Sequence, residues 1–338
     1  MHAIVCSNPG SLLFTSVETP ARGQGHTLIK IRRIGICGTD LHAFDGSQPF
    51  FTYPRILGHE LCGEITEADP DSPYSRGDLV TVLPYLHCGT CIACRNGKPN
   101  CCVGMQVLGV HIDGGMVEYL SIPTSHIMYA GDLSPDALAL VEPLSVSSHG
   151  IRRAGVSAGE FVLVAGAGPI GIGAMDLARI AGARVIALDV DPHRLDFCIK
   201  EIGVEFAFDA RDPDLLINLQ RVTRNEMAPV VIDATGNLRA INNGFNYISH
   251  GGRYVLIGLQ KEAITFSHPE FHKREATLMS SRNATERDFT DVISMMRMKQ
   301  LVPEKYITGR MDFSVVQDKF STLNKAGDLN IKTMIDMD

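Results

Sequence analysis

Two short stretches near the N-terminus carry residue types that bind metal ions and move protons. Cys37, Thr39 and His42 lie in the first stretch, and His59 and Glu60 lie in the second. A thiolate, an imidazole and a carboxylate are zinc ligands, and this set is one ligand short of a closed tetrahedral shell unless a downstream residue contributes. An open position suits a catalytic zinc, which needs room for substrate or water. We therefore predict a catalytic zinc held by Cys37 and His59.

Glu142 is a candidate for the missing ligand. It lies between Val141 and Pro143, at the start of an apolar stretch with helical character. An acid at a helix start also interacts favourably with the helix dipole, without any metal. From the residues alone, both interpretations remain open.

Four further cysteines have the spacing of a zinc-binding lobe: Cys88, Cys91, Cys94 and Cys102. Four thiolates close a tetrahedron around zinc, and a closed shell leaves no place for substrate. We therefore predict a structural zinc here, with the neighbouring Cys101 as an alternative to Cys102.

A glycine-rich turn in the middle of the chain predicts a dinucleotide site. The turn reads Gly166-Ala167-Gly168-Pro169-Ile170-Gly171. An apolar strand at Phe161–Ala165 precedes it, a helical pattern over 173–181 follows, and a second strand over 184–188 ends in Asp189. Such glycines let backbone amides and a helix N-terminus approach a pyrophosphate. Asp189 is placed to bind ribose hydroxyls and would repel a 2′-phosphate, which favours NAD over NADP, although the nearby Arg194 favours the opposite.

Alternating strands and helices continue after this turn. We predict strands over 230–234, 253–257 and 276–280, and a helix over 238–248. Ligands of open parallel sheets bind beyond the carboxyl ends of the strands. Thr235, Gly236 and Gly258 follow two of these strands, so they are candidate cofactor contacts, with simple turn residues as the alternative.

Strand and helix signals also flank the metal-binding stretches. Residues 27–31 alternate polar and apolar side chains, which predicts a strand with Lys30 and Arg32 facing solvent. Thr285 begins a helix whose apolar residues recur on one face. These patterns predict ordinary core elements.

Composition limits the classes of partner. With 338 residues, 45% apolar and 20% charged, the chain is long enough for two globular domains. A net charge of −7 argues against nucleic acid and anionic membranes as partners, and so against a zinc-ribbon nucleic-acid binder. The apolar runs are too short to span a bilayer, and the N-terminus does not read as a secretion signal. Nine cysteines, an odd number, indicate metal ligands in a reducing, cytoplasmic environment.

Taken together, these motifs resemble the zinc-dependent medium-chain alcohol and polyol dehydrogenases, in particular their sorbitol/threonine dehydrogenase branch. The resemblance covers essentially the whole chain. It implies an α/β protein with a GroES-like β-barrel catalytic domain over 1–143 and 283–338, which includes a zinc lobe at about 86–103. A Rossmann domain with a doubly wound parallel sheet is implied over 144–282. The stretches 46–54 and 269–285 look closest to dehydrogenases of sugar acids.

The resemblance also implies roles for the site residues. Glu142 becomes the third protein ligand of the catalytic zinc, and Glu60 either supports the ligands or exchanges with one of them. Thr39 accepts the proton of the substrate hydroxyl, and the cofactor ribose and His42 relay it to solvent. Arg282 holds the substrate or contacts the cofactor, and these two roles remain open. The expected reaction is oxidation of a secondary alcohol of a sugar acid or polyol to a ketone, with zinc and NAD.

Other functions remain as alternatives. Within the enzymes these are oxidation of another polyol, of a sugar phosphate or of L-threonine. A non-catalytic NAD-binding regulator is the alternative of another class, but the presence of Cys37, Thr39, His42 and His59 argues against it. The family also suggests a homodimer or homotetramer, with contacts near residues 253–259.

Overall fold

A computed structural model describes residues 1–49, 51–323 and 329–337. The chain divides into two compact units, Met1–Pro143 with Thr285–Asp338, and Leu144–Ala284. The second division follows residue 284, whereas the predicted boundary followed residue 282. Phe50, within the 46–54 stretch used for the sugar-acid prediction, lies outside the described residues. In the described parts of the chain, no helix is long and apolar enough to cross a membrane.

The strands are β1 His2–Asn8, β2 Ser11–Ser16, β3 His26–Gly35, β4 Arg55–Ile56, β5 Glu60–Glu67, β6 Leu79–Val82, β7 Tyr85–Leu86, β8 Gln106–Val107, β9 Tyr119–Pro123, β10 Ile127–Tyr129, β11 Phe161–Ala165, β12 Arg184–Asp189, β13 Phe206–Asp209, β14 Ala228–Asp233, β15 Ile248–Leu256, β16 Thr277–Ser280, β17 Ile307–Asp312 and β18 Lys332–Asp336. The helices are α1 Gly38–Asp45, α2 Ile92–Arg95, α3 Pro135–Ala139, α4 Val141–Ala154, α5 Pro169–Ile180, α6 Pro192–Phe197, α7 Leu215–Val222, α8 Leu238–Gly244, α9 His268–Lys273, α10 Glu286–Arg297 and α11 Val316–Lys319.

The first unit is built around a largely antiparallel sheet with the strand order β10-β6-β5-β3-β18-β17, to which β9 adds by pairing with β3. The alternation predicted over 27–31 is confirmed only in part. Lys30 and Arg32 are partly exposed on either side of the fully buried Ile31, but Thr27, Leu28 and Ile29 are buried in succession. The strand is longer than predicted and continues to Gly35. The apolar side chains of this sheet form the core of the unit.

The register of three central strands positions the metal-binding stretches. Gly35, at the end of β3, pairs with Glu60, at the start of β5. On the other side of β3, Gly35 pairs with Met334 of β18. Cys37 follows β3 and His59 precedes β5, so both residues lie at the same end of the sheet. The C-terminal strand brings Lys332 to this end as well.

The second unit is a parallel α/β structure. Within 144–284, all of which is described, the sheet has the order β13-β12-β11-β14-β15-β16 with every neighbouring pair parallel. The central strand β11 is apolar throughout because it is buried on both faces, as predicted. β15 is paired on both sides, so β16 rather than residues 253–256 is the edge of the sheet.

Two predicted helix boundaries in this unit are wrong. α5 begins at Pro169 rather than at 173, because Gly168 is its N-cap and proline is favoured in the first helical turn. α8 ends at Gly244 instead of continuing to 248, and β15 already begins at Ile248. Gly244 is in tight contact with β15, since a Cβ there would lie 2.2 Å from the Tyr254 hydroxyl oxygen. By contrast, the predicted start of α10 is confirmed by a capping box between Thr285 and Asp288.

Candidate active site

Three ligand-type side chains converge where β3 ends and β5 begins. Potential ligand atoms of Cys37, His59 and Glu60 all lie within 4.8 Å of one another. His59 is 5% exposed and Glu60 is fully buried. A thiol, an imidazole and a carboxylate gathered in this way match the ligand chemistry of zinc, so the residues present fit the metal.

Asp40 connects these ligands through the backbone. Its carboxylate accepts hydrogen bonds from the amide of Cys37 at 2.9 Å and from the amide of Gly58 at 3.1 Å. The first bond belongs to a capping box at the start of α1, with Cys37 at the N-cap. Burial raises the pKa of Asp40 above its usual range. The sequence prediction gave Asp40 no role, although its position three residues after Cys37 is the spacing of a capping box.

His59 has one ring nitrogen without a partner. Among the described residues, Nδ1 of His59 is buried and makes no hydrogen bond, and Oδ1 of Asp40 lies 4.0 Å away. Burial alone would lower the pKa of the ring, but the Cys37 thiol and the carboxylates of Asp40 and Glu142 raise it well above its usual range. The ring is therefore surrounded by negatively charged groups, and such surroundings favour a bound cation.

Glu142 lies in the first turn of α4 and is buried close to this group. It is outside the three-residue cluster in this structure. The buried Tyr85 hydroxyl donates a hydrogen bond to Oε1 of Glu142. Burial, together with the charge of Glu60, raises the pKa of Glu142 to about 7. Tyr85 did not stand out in the sequence, because a tyrosine in a short strand usually belongs to the core.

Glu60 has a different partner. The ammonium of Lys332 lies 2.7 Å from Oε1 and 2.6 Å from Oε2 of Glu60, and it also donates to the carbonyl of Ile36 at 3.0 Å. Burial opposes the charge on Lys332, yet Glu60 and Cys37 raise its pKa. Lys332 was missed in the sequence, where it is only the first residue of the short strand β18.

The raised pKa of Glu142 gives a testable pH dependence. Glu142 binds its proton more tightly in the folded, metal-free protein, with a pKa of about 7, than at the ordinary value of 4.5. A cation that uses this carboxylate must displace the proton below pH 7 but not above it. We compare the zinc affinity of the native protein with that of Glu142→Gln at each pH. Above pH 7 the ratio of the two affinities should be constant. Below pH 7 it should decrease by up to about tenfold for each pH unit. Competition with a zinc-binding dye measures this ratio, and a ratio independent of pH would contradict Glu142 as a ligand.

Thr39 and His42 lie three positions apart on α1, so their side chains are neighbours on the helix surface. The side chain of His42 is 61% exposed, and its Nδ1 lies 2.8 Å from the hydroxyl oxygen of Ser47. Thr39 is half-buried. This placement is suitable for transfer of a proton from a partly enclosed hydroxyl to an exposed imidazole.

The four predicted lobe cysteines are brought together. One sulfur from each of Cys88, Cys91, Cys94 and Cys102 lies within 4.8 Å of the other three. Backbone amides of Thr90 and Cys91 lower the pKa of the Cys88 thiol to about 6, which favours the thiolate that zinc binds. Cys101 is exposed and outside the group.

The glycine turn lies between β11 and α5, as the motif requires. Gly166 has a positive φ of 98°, and a Cβ at Gly171 would lie 1.7 Å from the carbonyl oxygen of Gly166. The turn is therefore closed tightly by glycine, and it leaves the N-terminus of α5 free of side chains at Gly168. Such a terminus is suited to a pyrophosphate, so these residues fit a dinucleotide.

Asp189 is tied to this turn. Its Oδ2 accepts a hydrogen bond from the amide of Ala167 at 2.5 Å, and its Oδ1 accepts one from the amide of Asp191 at 2.9 Å. Arg194 approaches the same turn, with Nη1 4.0 Å from the position of a Cβ at Gly168. Among the described residues, the buried Nε of Arg194 has no hydrogen-bond partner. The acid and the guanidinium are thus both present where an adenosine ribose would bind.

The remaining predicted cofactor contacts also lie at strand ends. Thr235 and Gly236 follow β14, and both donate hydrogen bonds to the Asp233 carboxylate, at 2.5 and 3.2 Å. Gly258 packs so closely that a Cβ there would lie 2.2 Å from the amide nitrogen of Gly236. Part of their role is therefore to form this turn. Arg282 is an exposed residue two positions after β16.

Comparison with known proteins agrees with this fold. Residues 23–132 match the alcohol dehydrogenase GroES-like domain, and residues 169–298 match the zinc-binding dehydrogenase domain. The chain belongs to the zinc-dependent medium-chain alcohol dehydrogenases, with a GroES-like domain and a Rossmann-type domain. In particular, it is 43% identical over 321 residues to L-galactonate-5-dehydrogenase of Escherichia coli K12, covering 95% of this chain and 94% of that protein.

Solved structures share the whole fold. The crystal structure of a short chain alcohol dehydrogenase (rspB) from E. coli CFT073 with NADH has a TM-score of 0.93 at 28% identity, covering 100% of this chain and 99% of that one. A zinc-binding dehydrogenase from Sinorhizobium meliloti 1021 bound to NADP has a TM-score of 0.92 at 27% identity, covering 99% of each chain. Both cofactors therefore occur among similar structures.

Proposed function

We propose that this protein is a zinc-dependent dehydrogenase that oxidises the 5-hydroxyl of L-galactonate to a ketone, giving tagaturonate, with NAD as the acceptor. The chemistry rests on one observation, the convergence of Cys37, His59 and Glu60 within 4.8 Å. The substrate rests on the identity of 43% to a protein named for that reaction. We also propose a homodimer or homotetramer in the cytoplasm, where the nine cysteines, none in a disulfide, would stay reduced.

In this proposal, Cys37, His59 and Glu142 hold the catalytic zinc. When bound, zinc acts as a Lewis acid that lowers the pKa of an alcohol, and NAD accepts a hydride. Thr39 accepts the hydroxyl proton of the substrate, and His42 passes it to solvent from its exposed position on α1. Asp40 fixes the amides of Cys37 and Gly58, so the two ligand-bearing loops keep their spacing.

The choice of NAD depends on Asp189. Its carboxylate is held at the glycine turn, where it would accept hydrogen bonds from ribose hydroxyls and repel a 2′-phosphate. Arg194 is the competing feature, because an arginine at this place accommodates the 2′-phosphate of NADP. In this proposal Asp189 determines the preference for NAD, because two backbone amides fix its carboxylate at the turn.

A substrate panel tests the proposal. L-galactonate, other hexonates, sorbitol, galactitol 1-phosphate and L-threonine are offered with NAD or NADP, with and without a chelator. We expect the highest kcat/KM for L-galactonate with NAD, and loss of turnover when the chelator removes zinc. A preference for another substrate would leave the enzyme class intact and reject L-galactonate. A strong preference for NADP would contradict the role of Asp189.

The panel also tests the alternative of another class. A non-catalytic regulator would bind NAD without oxidising any of these alcohols. That outcome would contradict an enzymatic function and the proton transfer assigned to Thr39 and His42. Calorimetric titration of the same preparation with NAD shows whether a protein without turnover still binds the cofactor. It therefore distinguishes a regulator from a misfolded preparation.

A further inference from the structure

Two histidines lie one helical turn apart on α9, outside the residues assigned above to metal or cofactor. His268 and His272 occupy positions i and i+4, so their side chains are neighbours on one face of the helix. Both are exposed, and their ring centroids lie 5.8 Å apart with 60° between the ring planes. In the described parts of the chain, neither ring has a hydrogen bond or an ion pair with another residue. Each neutral ring therefore offers one nitrogen lone pair.

The short helix that carries these rings is anchored at several points. The half-buried ring of Phe271 packs against Phe245 and Phe266, with centroids 6.0 and 5.0 Å apart. Pro269 restricts the backbone of the first turn. After the last turn, the carbonyl of Arg274 accepts a hydrogen bond of 2.7 Å from the amide of Gly251. The two histidines are therefore held side by side before any ligand binds, which lowers the entropic cost of binding.

The carboxylate between the two histidines is already paired. Nη1 of Arg274 lies 2.8 Å from Oε2 of Glu270 and also donates to the Glu270 carbonyl at 2.9 Å. The hydrogen bond from Arg274 and the charge of Lys273 lower the pKa of Glu270. The two imidazoles are thus the available ligands on this helix.

The separation of the rings fits chelation of a transition-metal ion. Imidazole suits zinc, copper and nickel, and two histidines at i and i+4 of a helix are a known zinc-binding arrangement. With bonds of about 2 Å and a tetrahedral angle between them, the two ring centroids would lie about 5 Å apart. Small rotations of the exposed His268 and His272 side chains therefore bring both nitrogens into bonding range.

We propose that His268 and His272 form a third metal site, which chelates a divalent transition-metal ion and leaves its other positions to water. The site belongs to the 144–284 unit, whereas the residues of both predicted zinc sites belong to the other unit. The inference is therefore independent of the proposed substrate and of the catalytic metal. Two exposed ligands bind an ion less tightly than four thiolates, so we expect an ion at this site to exchange and to be removed by dialysis.

Equilibrium dialysis with nickel(II) tests this site. Untagged full-length protein is first saturated with zinc, freed of excess metal, and then dialysed against nickel(II). We expect the native protein to bind about one nickel per chain without losing zinc. The affinity for nickel should decrease at least about tenfold in His268→Ala and in His272→Ala. The double variant should lose little more, because a single remaining ring cannot chelate.

Two controls separate a chelate from scattered binding to surface histidines. His193→Ala removes an exposed histidine elsewhere in the same unit and should leave the nickel affinity unchanged. His272→Ala/Lys273→His keeps two histidines on α9 but places them five positions apart, on different faces. This variant should bind nickel as weakly as His272→Ala.

Three results would overturn the inference. The first is native affinity in either single variant. The second is independent binding, in which each single substitution removes part of the bound nickel and the double substitution removes the sum. The third is native affinity in the variant with the altered spacing. None of these results would affect the proposed oxidation of L-galactonate, because that reaction uses neither histidine.

Discussion

Replacing Cys37 with alanine is expected to abolish alcohol oxidation, with kcat/KM lowered by at least about 1,000-fold. The thiolate is the soft, anionic ligand of the predicted site, and its loss leaves His59 and a carboxylate, which bind zinc weakly. Metal analysis should show a decrease from about two to about one zinc per chain, because the four-cysteine lobe keeps its own ion.

The fold should survive this substitution. The backbone amide of Cys37, which alanine keeps, donates the hydrogen bond to Asp40 at the start of α1. NAD binding should also be retained, because the glycine turn belongs to the other unit of the chain. Circular dichroism and calorimetric titration with NAD measure both properties in the same preparation.

Cys101→Ala is the matched control. Cys101 is an exposed thiol outside both groups of ligands, so its removal should leave turnover and zinc content close to those of the native protein. If Cys37→Ala still oxidised the substrate at a similar rate, the zinc mechanism proposed for this site would be wrong.

The parts of the site that are local in sequence were predictable. The four lobe cysteines span only residues 88–102, and the glycine turn lies between a strand and a helix that its own neighbours specify. In both cases the chemistry depends on spacing within one loop, which the sequence displays directly. The capping box at Thr285 belongs to the same group, because it depends on two residues three positions apart.

The parts that depend on distant pairing were not predictable. Lys332 is 272 residues from Glu60, and Tyr85 is 57 residues from Glu142. No local pattern connects such residues, because they meet only when β18 adds to β3 and when the Tyr85 hydroxyl reaches Glu142. The overlong prediction for α8 has a related cause: its end is set by contact of Gly244 with Tyr254 in the sheet.

The two carboxylates of the candidate metal site have different partners. Glu60 is adjacent to His59 in the chain and lies inside the cluster, with both of its oxygens bound by Lys332. Glu142 lies outside the cluster and accepts a hydrogen bond from the Tyr85 hydroxyl. Neither partner could be predicted from the sequence around the carboxylate, because both lie far away along the chain.

Replacing Cys94 with serine is the second change with a large expected effect, and it acts on stability. The four sulfurs of the lobe lie within 4.8 Å of one another, and a metal that bridges them would connect α2 to the loop that carries Cys102. A hydroxyl is a poor zinc ligand, and the remaining three thiolates would repel one another without the cation. We expect loss of about one zinc per chain and a decrease in Tm of at least about 10 °C in scanning calorimetry.

The effect of Cys94→Ser should differ in kind from that of Cys37→Ala. The lobe has no open position, so folded Cys94→Ser protein at low temperature should keep most of its turnover per active site, whereas Cys37→Ala should stay inactive at every temperature. Cys101→Ser, one residue from Cys102 but outside the group, should leave Tm unchanged. An unchanged Tm in Cys94→Ser would show that the lobe does not depend on a metal. A lower Tm in Cys101→Ser would indicate that Cys101, instead of Cys102, is the fourth ligand.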